Sequence, residues 1–197
     1  MYKRSPNISN RKIAYFWQFL LACLVTIAIT NKINPQVQAA QSPNGTVGFE
    51  SAVLLVDSHT TFSGVRIRQA VYYFDLELPK NAGESLQKVE IKQRTGSDEI
   101  RFRLDKTKAY LGNHNDKQEQ LEVTTSQDET TGAITVNLKQ AIQPGNKLTI
   151  GLKPKKNPDF AGAYLFGVTA FPAGAKPQGL YLGAGRLQFY QNSDSLF

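Results

Sequence analysis

Polar and apolar residues alternate with a period of two along much of this chain. "VYYFDLELP" puts Tyr72, Phe74, Leu76 and Leu78 on one face, with Tyr73, Asp75 and Glu77 on the other. "LQKVEIKQR" sets Val89 and Ile91 against Lys88, Glu90 and Lys92, and "IRFRLD" sets Ile100, Phe102 and Leu104 against Arg101 and Arg103. "AITVNLK" and "KLTIGL" repeat the pattern through Ile134, Val136 and Leu138, and through Leu148, Ile150 and Leu152. Successive side chains of an extended strand point to opposite faces, so strict alternation predicts half-buried antiparallel strands. "GAYLFGVTAFP" is different, because both of its faces are apolar or small. Tyr164, Phe166, Val168 and Ala170 share one face, and Leu165, Gly167, Thr169 and Phe171 the other, which predicts a strand inside a crowded sheet.

The punctuation fits the strands. Gln143-Pro144-Gly145-Asn146 has proline and glycine where a type II turn needs them, and "NAG" at 81–83, "TGS" at 95–97 and "TTG" at 130–132 separate other runs. "LGNHNDKQEQ", Leu111 to Gln120, reads as the longest polar loop, with room for a helical turn. Several short strands bounded by turns predict an all-β fold, an antiparallel two-sheet sandwich of the immunoglobulin-like kind. One domain is expected over residues 40–190, with a frayed tail at 191–197.

The first 39 residues read as a signal peptide. Lys3, Arg4, Arg11 and Lys12 precede an apolar stretch from Ile13 to Ile29, and Val37-Gln38-Ala39 has the small-residue spacing of a cleavage site. Cleavage is expected after Ala39, with Ala40 the near alternative. Two other readings stand beside it: retention of the stretch as an anchor, and lipidation at Cys23 in "LLAC". The apolar run that continues from Leu24 to Ile29 disfavours the lipoprotein reading. Export would deliver the chain to the periplasm, the cell surface, the medium or a thylakoid lumen.

Removing this segment changes the charge. Five of the 23 basic residues (Lys3, Arg4, Arg11, Lys12, Lys32) precede the cleavage point and all 16 acids follow it, leaving a surplus of two positive charges. So slight a balance gives no support for nucleic-acid binding. The single cysteine, Cys23, lies in the leader, so the exported domain has neither disulfide nor thiolate nucleophile. No transmembrane span is expected after the leader. An outer-membrane barrel is disfavoured too, because the positions alternating back from Phe197 are Ser195, Ser193 and Gln191, which are polar.

Candidate chemistry is sparse. His59 and His114 are the only histidines and stand far apart in sequence, so no metal site and no cofactor are expected. Asn113, Asn115, Asp116 and Glu119 supply oxygen donors without the spacing of a calcium loop, and read as a hydrophilic loop. No serine sits in a G-x-S-x-G context. The glycines at 179, 183 and 185 match no phosphate-binding motif and read as bulges or close backbone approaches. The ligand candidates are aromatic: Tyr73 on the acidic face of its strand, and Tyr181 beside Arg186, as stacking surfaces for sugar rings.

"PGNKLTIGLKPKKNPDFAGAYLFGVTAFPAGAKPQGLYLGAGRLQFY", together with "YYFDLELPKNAGESLQKVEI", resembles a family of secreted cyanobacterial proteins catalogued only as a domain of unknown function. The resemblance runs from about Val65 to Tyr190 and implies an exported envelope or lumenal protein with one compact domain; it brings no catalytic residues. The expected function is that of a non-catalytic structural or interaction module of the cell envelope, with envelope proteins or polysaccharide as partners. The alternative is a module that binds periplasmic or surface polysaccharide through Tyr73, Tyr181 and Arg186. A hydrolase is the least favoured reading, since it needs a carboxylate pair or a His–Asp contact assembled in a cleft.

Overall fold

A computed structural model describes residues 45–191. The leader, with Cys23, Ala39 and Ala40, and the tail beyond Gln191 lie outside the described residues. Among the described residues ten strands form two five-stranded sheets, antiparallel in every ladder. The first sheet contains β1 (Leu54–Thr60), β2 (Tyr72–Glu77), β8 (Lys147–Leu152), β4 (Lys108–Asn113) and β5 (Asp116–Leu121), in that order. The second contains β10 (Leu180–Phe189), β9 (Gly162–Pro172), β3 (Leu86–Thr95), β7 (Ile134–Ile142) and β6 (Val123–Gln127). The expected all-β sandwich is what the chain forms. The chain changes sheet between β2 and β3, β3 and β4, β5 and β6, β7 and β8, and β8 and β9. Interior faces therefore fill with residues distant in sequence.

The alternation seen in sequence is the burial seen in structure. Tyr72, Phe74 and Leu76 point inward beside Leu148, Ile150 and Leu152, and meet Tyr164, Phe166, Val168, Val89 and Ile91 from the second sheet. β9 lies between β10 and β3, as its two apolar faces predict. Gly145 has φ +89° and its N–H bonds to the Leu78 carbonyl at 2.8 Å, in keeping with the predicted turn.

Two expectations are corrected. "IRFRLD" buries Ile100 and Phe102 but joins no sheet; Phe102 makes one bridge to Pro154, and a 3₁₀ turn follows at Leu104–Lys106. Phe102 and Pro154 form a non-hydrogen-bonded pair held by the bonds on either side of it, in which Arg103 N–H donates to Lys153 O and Lys155 N–H to Arg101 O, and the 3₁₀ turn that begins at Leu104 ends the extended run before a ladder can grow. The polar stretch Leu111–Gln120 is a hairpin rather than a loop, turning at His114 and Asn115 between β4 and β5. Asn113 Oδ1 accepts the N–H groups of Asn115 and Asp116 and so caps the turn, a use distinct from calcium ligation.

Two interior tyrosines tie stability to alkaline pH. Burial, with Tyr164 and Asp98 adding to it, pushes the Tyr72 hydroxyl far above its ordinary value. Burial and then the bond to Asp98 push Tyr164 up to about 12. The fold thus favours the neutral phenols, and their contribution is complete below about pH 10 and lost as pH climbs toward 12. Urea midpoints should fall steadily between about pH 10 and 11.5; a flat profile there would contradict this burial.

Candidate functional site

The outer face of the first sheet carries the most chemistry. Tyr73, on the outward face of β2, pairs with His59 on β1 and with Gly151 on β8. A Cβ at residue 151 would stand 2.9 Å from the Tyr73 ring, so glycine is what lets that ring lie down across β8. Lys117 reaches over from β5, its Nζ 4.1 Å above the ring centroid and 2.9 Å from the hydroxyl, which accepts its hydrogen bond. A groove of about 400 Å³ opens beside this ring. Tyr73, Tyr110, Val71 and Gly151 line it, and Arg103, Lys106, Lys108 and Lys153 complete its wall.

All four charged residues of that wall are basic. Lys153 Nζ donates to the Ala70 carbonyl at 3.0 Å, and burial, then Arg103, lowers its pKa. Lys106 approaches Asp105 at 3.5 Å, with both side chains exposed. Among the described residues, no carboxylate pairs with the Arg103 guanidinium or the Lys108 ammonium. A larger groove of about 560 Å³ lies near Arg68 and Arg101 and shares Arg103 with the first; there Asp98, Glu99 and Asp159 stand among the bases, and Lys156 closes on Asp159 at 2.6 Å. Three acids offset part of its five basic charges, whereas the wall of the Tyr73 groove holds no acid. The Tyr73 groove keeps its positive field for something else.

A second cluster adjoins Tyr73 on the side away from the groove. Asp57 stands directly opposite Asp75 in the β1–β2 register. Asp75, only 5% exposed, accepts the Thr149 hydroxyl at 2.7 Å and, from His114, the backbone N–H at 3.2 Å and Nδ1 at 2.5 Å. His114 arrives there because the β4–β5 hairpin curls inward at Gly112, whose φ of +93° and contact with the Asp116 carbonyl exclude a side chain. The His59 and His114 rings lie 3.8 Å apart, and Tyr73 stacks on His59 at 5.2 Å. Burial first, then His114, lowers the His59 pKa. Donor atoms of Asp57, His59 and His114 all lie within 4.8 Å of one another.

The sequence-based candidates therefore separate. Tyr181, 54% exposed, and Arg186 lie on the outer face of the second sheet, and Tyr73 lies on the first. Tyr181 packs over Gly167 near Arg94, while Arg186 bonds Gln188. Tyr73 thus stands in one sheet and Tyr181 and Arg186 in the other, and among the described residues no contact joins the Tyr73 side chain to either of them. Sequence separation hid the two histidines, 55 positions apart, yet "DSH" held a signal. Asp57 and His59 are two apart in a strand and so share a face. The His–Asp contact that a hydrolase needs is also present, but the hydroxyl that shares Asp75, that of Thr149, is buried and donates to the carboxylate. It is not offered to an imidazole as a nucleophile.

Residues 46–189 match the family described as "Protein of unknown function (DUF2808)". No curated protein matches the chain. Among solved structures it is similar to the collagen-binding domain from a Staphylococcus aureus adhesin, with 11% identity, 60% of this chain and 87% of that chain covered, and a TM-score of 0.34. For ACE19, the collagen-binding subdomain of the Enterococcus faecalis surface protein ACE, the values are 7%, 66%, 94% and 0.39. For a cohesin module of a Clostridium perfringens family 33 glycoside hydrolase they are 13%, 71%, 99% and 0.39. Similarity at this level assigns no ligand. No helix of the described residues is long and apolar enough to cross a membrane.

Proposed function

We propose that this chain, which belongs to the DUF2808 family, is an exported, non-catalytic interaction module of the cell envelope, and that it holds acidic polysaccharide in the Tyr73 groove. The observation that carries this reading is the pairing of two tyrosines with an all-basic wall: Tyr73 and Tyr110 beside Arg103, Lys106, Lys108 and Lys153. The Tyr73 ring is already covered by Lys117 and His59, so a sugar packs on Tyr110 and on the groove-side edge of Tyr73, while uronate or sulfate groups meet Arg and Lys at the rim. Tyr73 belongs to the ligand set expected from sequence; Tyr181 and Arg186 do not share it.

Titration of the full chain with a uronate-rich polysaccharide tests the reading. Tyr73→Ala and Lys108→Glu should each weaken binding about tenfold, roughly 1.4 kcal/mol, whereas Tyr181→Ala should leave it unchanged. Raising the ionic strength should weaken the wild type as surface charges are screened. Equal affinity for a neutral polysaccharide, or indifference to both groove variants, would sink the proposal.

A further inference from the structure

We propose that Asp57, His59 and His114 form a binding site for a divalent transition-metal ion, with Asp75 as a second carboxylate at its inner side. The charges ask for a cation. Asp57 and Asp75 are direct cross-strand partners on one face, an arrangement that is destabilising for like charges, and Asp75 is buried as well. The two imidazoles and one carboxylate are also nearly in place. Asp57 Oδ2 lies 3.5 Å from His59 Nδ1 and 3.8 Å from His114 Nδ1. Ligand atoms around a tetrahedral ion with bonds of 2.0–2.1 Å stand about 3.3 Å apart, so small side-chain rotations close the set.

A separate observation points the same way. His59 Nδ1 is shielded from solvent and has no hydrogen-bond partner among the described residues. A buried ring nitrogen of this kind is costly unless something takes its lone pair or its proton. On metal binding the proton between His114 Nδ1 and Asp75 Oδ2 moves to His114 Nε2, leaving the imidazole neutral. Two neutral imidazoles, two carboxylates and one divalent ion then sum to zero charge. Nitrogen and carboxylate donors in this ratio suit zinc and its neighbours, and not calcium or magnesium, which prefer oxygen alone. The ion would pin the edge strand β1 to the β4–β5 hairpin across β2 and β8. This site uses none of the basic groove residues, so it stands or falls apart from the polysaccharide reading.

The test is equilibrium dialysis of the full chain against Zn²⁺, with bound metal measured by mass spectrometry and folding checked by circular dichroism. One ion per chain is expected. Asp57→Asn and His59→Ala, both on an edge strand, and Asp75→Asn, which removes the second carboxylate donor, should each weaken binding by more than about tenfold. Tyr181→Ala should have no effect. With Co²⁺ the wild type should show a visible absorption band of tetrahedral intensity that His59→Ala lacks. Less than one saturable zinc per chain, or undiminished zinc binding in both Asp57→Asn and His59→Ala, would overturn the assignment.

Discussion

Replacing Phe166 by alanine should lower the free energy of unfolding by about 3–5 kcal/mol. Phe166 is 1% exposed and belongs to β9, in the second sheet. Its ring stands edge-on to Tyr72 and Phe74 of the first sheet, at 6.0 and 5.8 Å, and to Phe102 at 6.2 Å. The side chain thus spans the gap between the sheets. Truncation removes apolar contact and opens a cavity lined by rings already held by their own neighbours, which limits collapse. Phe166→Leu should cost much less because it refills part of the space. Urea unfolding checks this through the midpoint at constant slope. A loss below about 1 kcal/mol for the alanine variant would contradict this packing.

Asn157→Ala should be nearly as damaging, at about 3 kcal/mol, through a different mechanism. Asn157 is fully buried. Its Oδ1 accepts the Tyr72 hydroxyl at 2.9 Å, and its Nδ2 donates to the carbonyls of Phe62 and Gly64 at 2.8 and 2.7 Å. Its own N–H bonds to the Ile67 carbonyl. The side chain therefore anchors the segment between β1 and β2 onto the core. Alanine leaves one buried hydroxyl and two carbonyls without that partner, each worth about 1–3 kcal/mol when unsatisfied and partly recovered by water. Tyr72→Phe removes only one of these bonds and should cost about 1 kcal/mol. The two changes should be non-additive in a double-mutant cycle, since they share a bond. Strict additivity would mean the Tyr72–Asn157 bond contributes nothing.

How much of this was legible beforehand depended on whether a strand has one face covered. β2, β3, β7, β8 and β9 each bury a face or both, so their sequences carry the alternation that selects strand geometry. β5 is an edge strand with every residue but Leu121 exposed. Nothing there forces a period, and the stretch read as a polar loop. β1 is the opposite edge, with Leu54 and Val56 exposed, and its register shifts between Leu55 and Asp57, which breaks the pattern. The burial of Ile100 and Phe102 was readable, but their single bridge falls on Pro154, more than fifty residues away in a different segment, and the 3₁₀ turn at Leu104–Lys106 ends the extended run.

The candidate site was less legible, for the same reason. Tyr73 stood out because an aromatic residue on a polar face is anomalous within one strand. The basic wall was not visible, because Arg103, Lys108 and Lys153 come from separate segments that converge only when β4 and β8 pair. The histidines look isolated until the β1–β2 register sets His59 opposite Tyr73 and the β4–β5 turn lays His114 on Asp75. Local sequence specifies which face a residue takes; the order of strands in the sheet decides its neighbours.

The most direct test of the binding face is hydrogen–deuterium exchange of the full chain with and without the uronate-rich polysaccharide. The groove reading predicts protection confined to residues 71–73, 103–110 and 151–153, with the β9–β10 face unchanged. Protection centred instead on Tyr181 and Arg186, or no protection at saturating ligand, would contradict it.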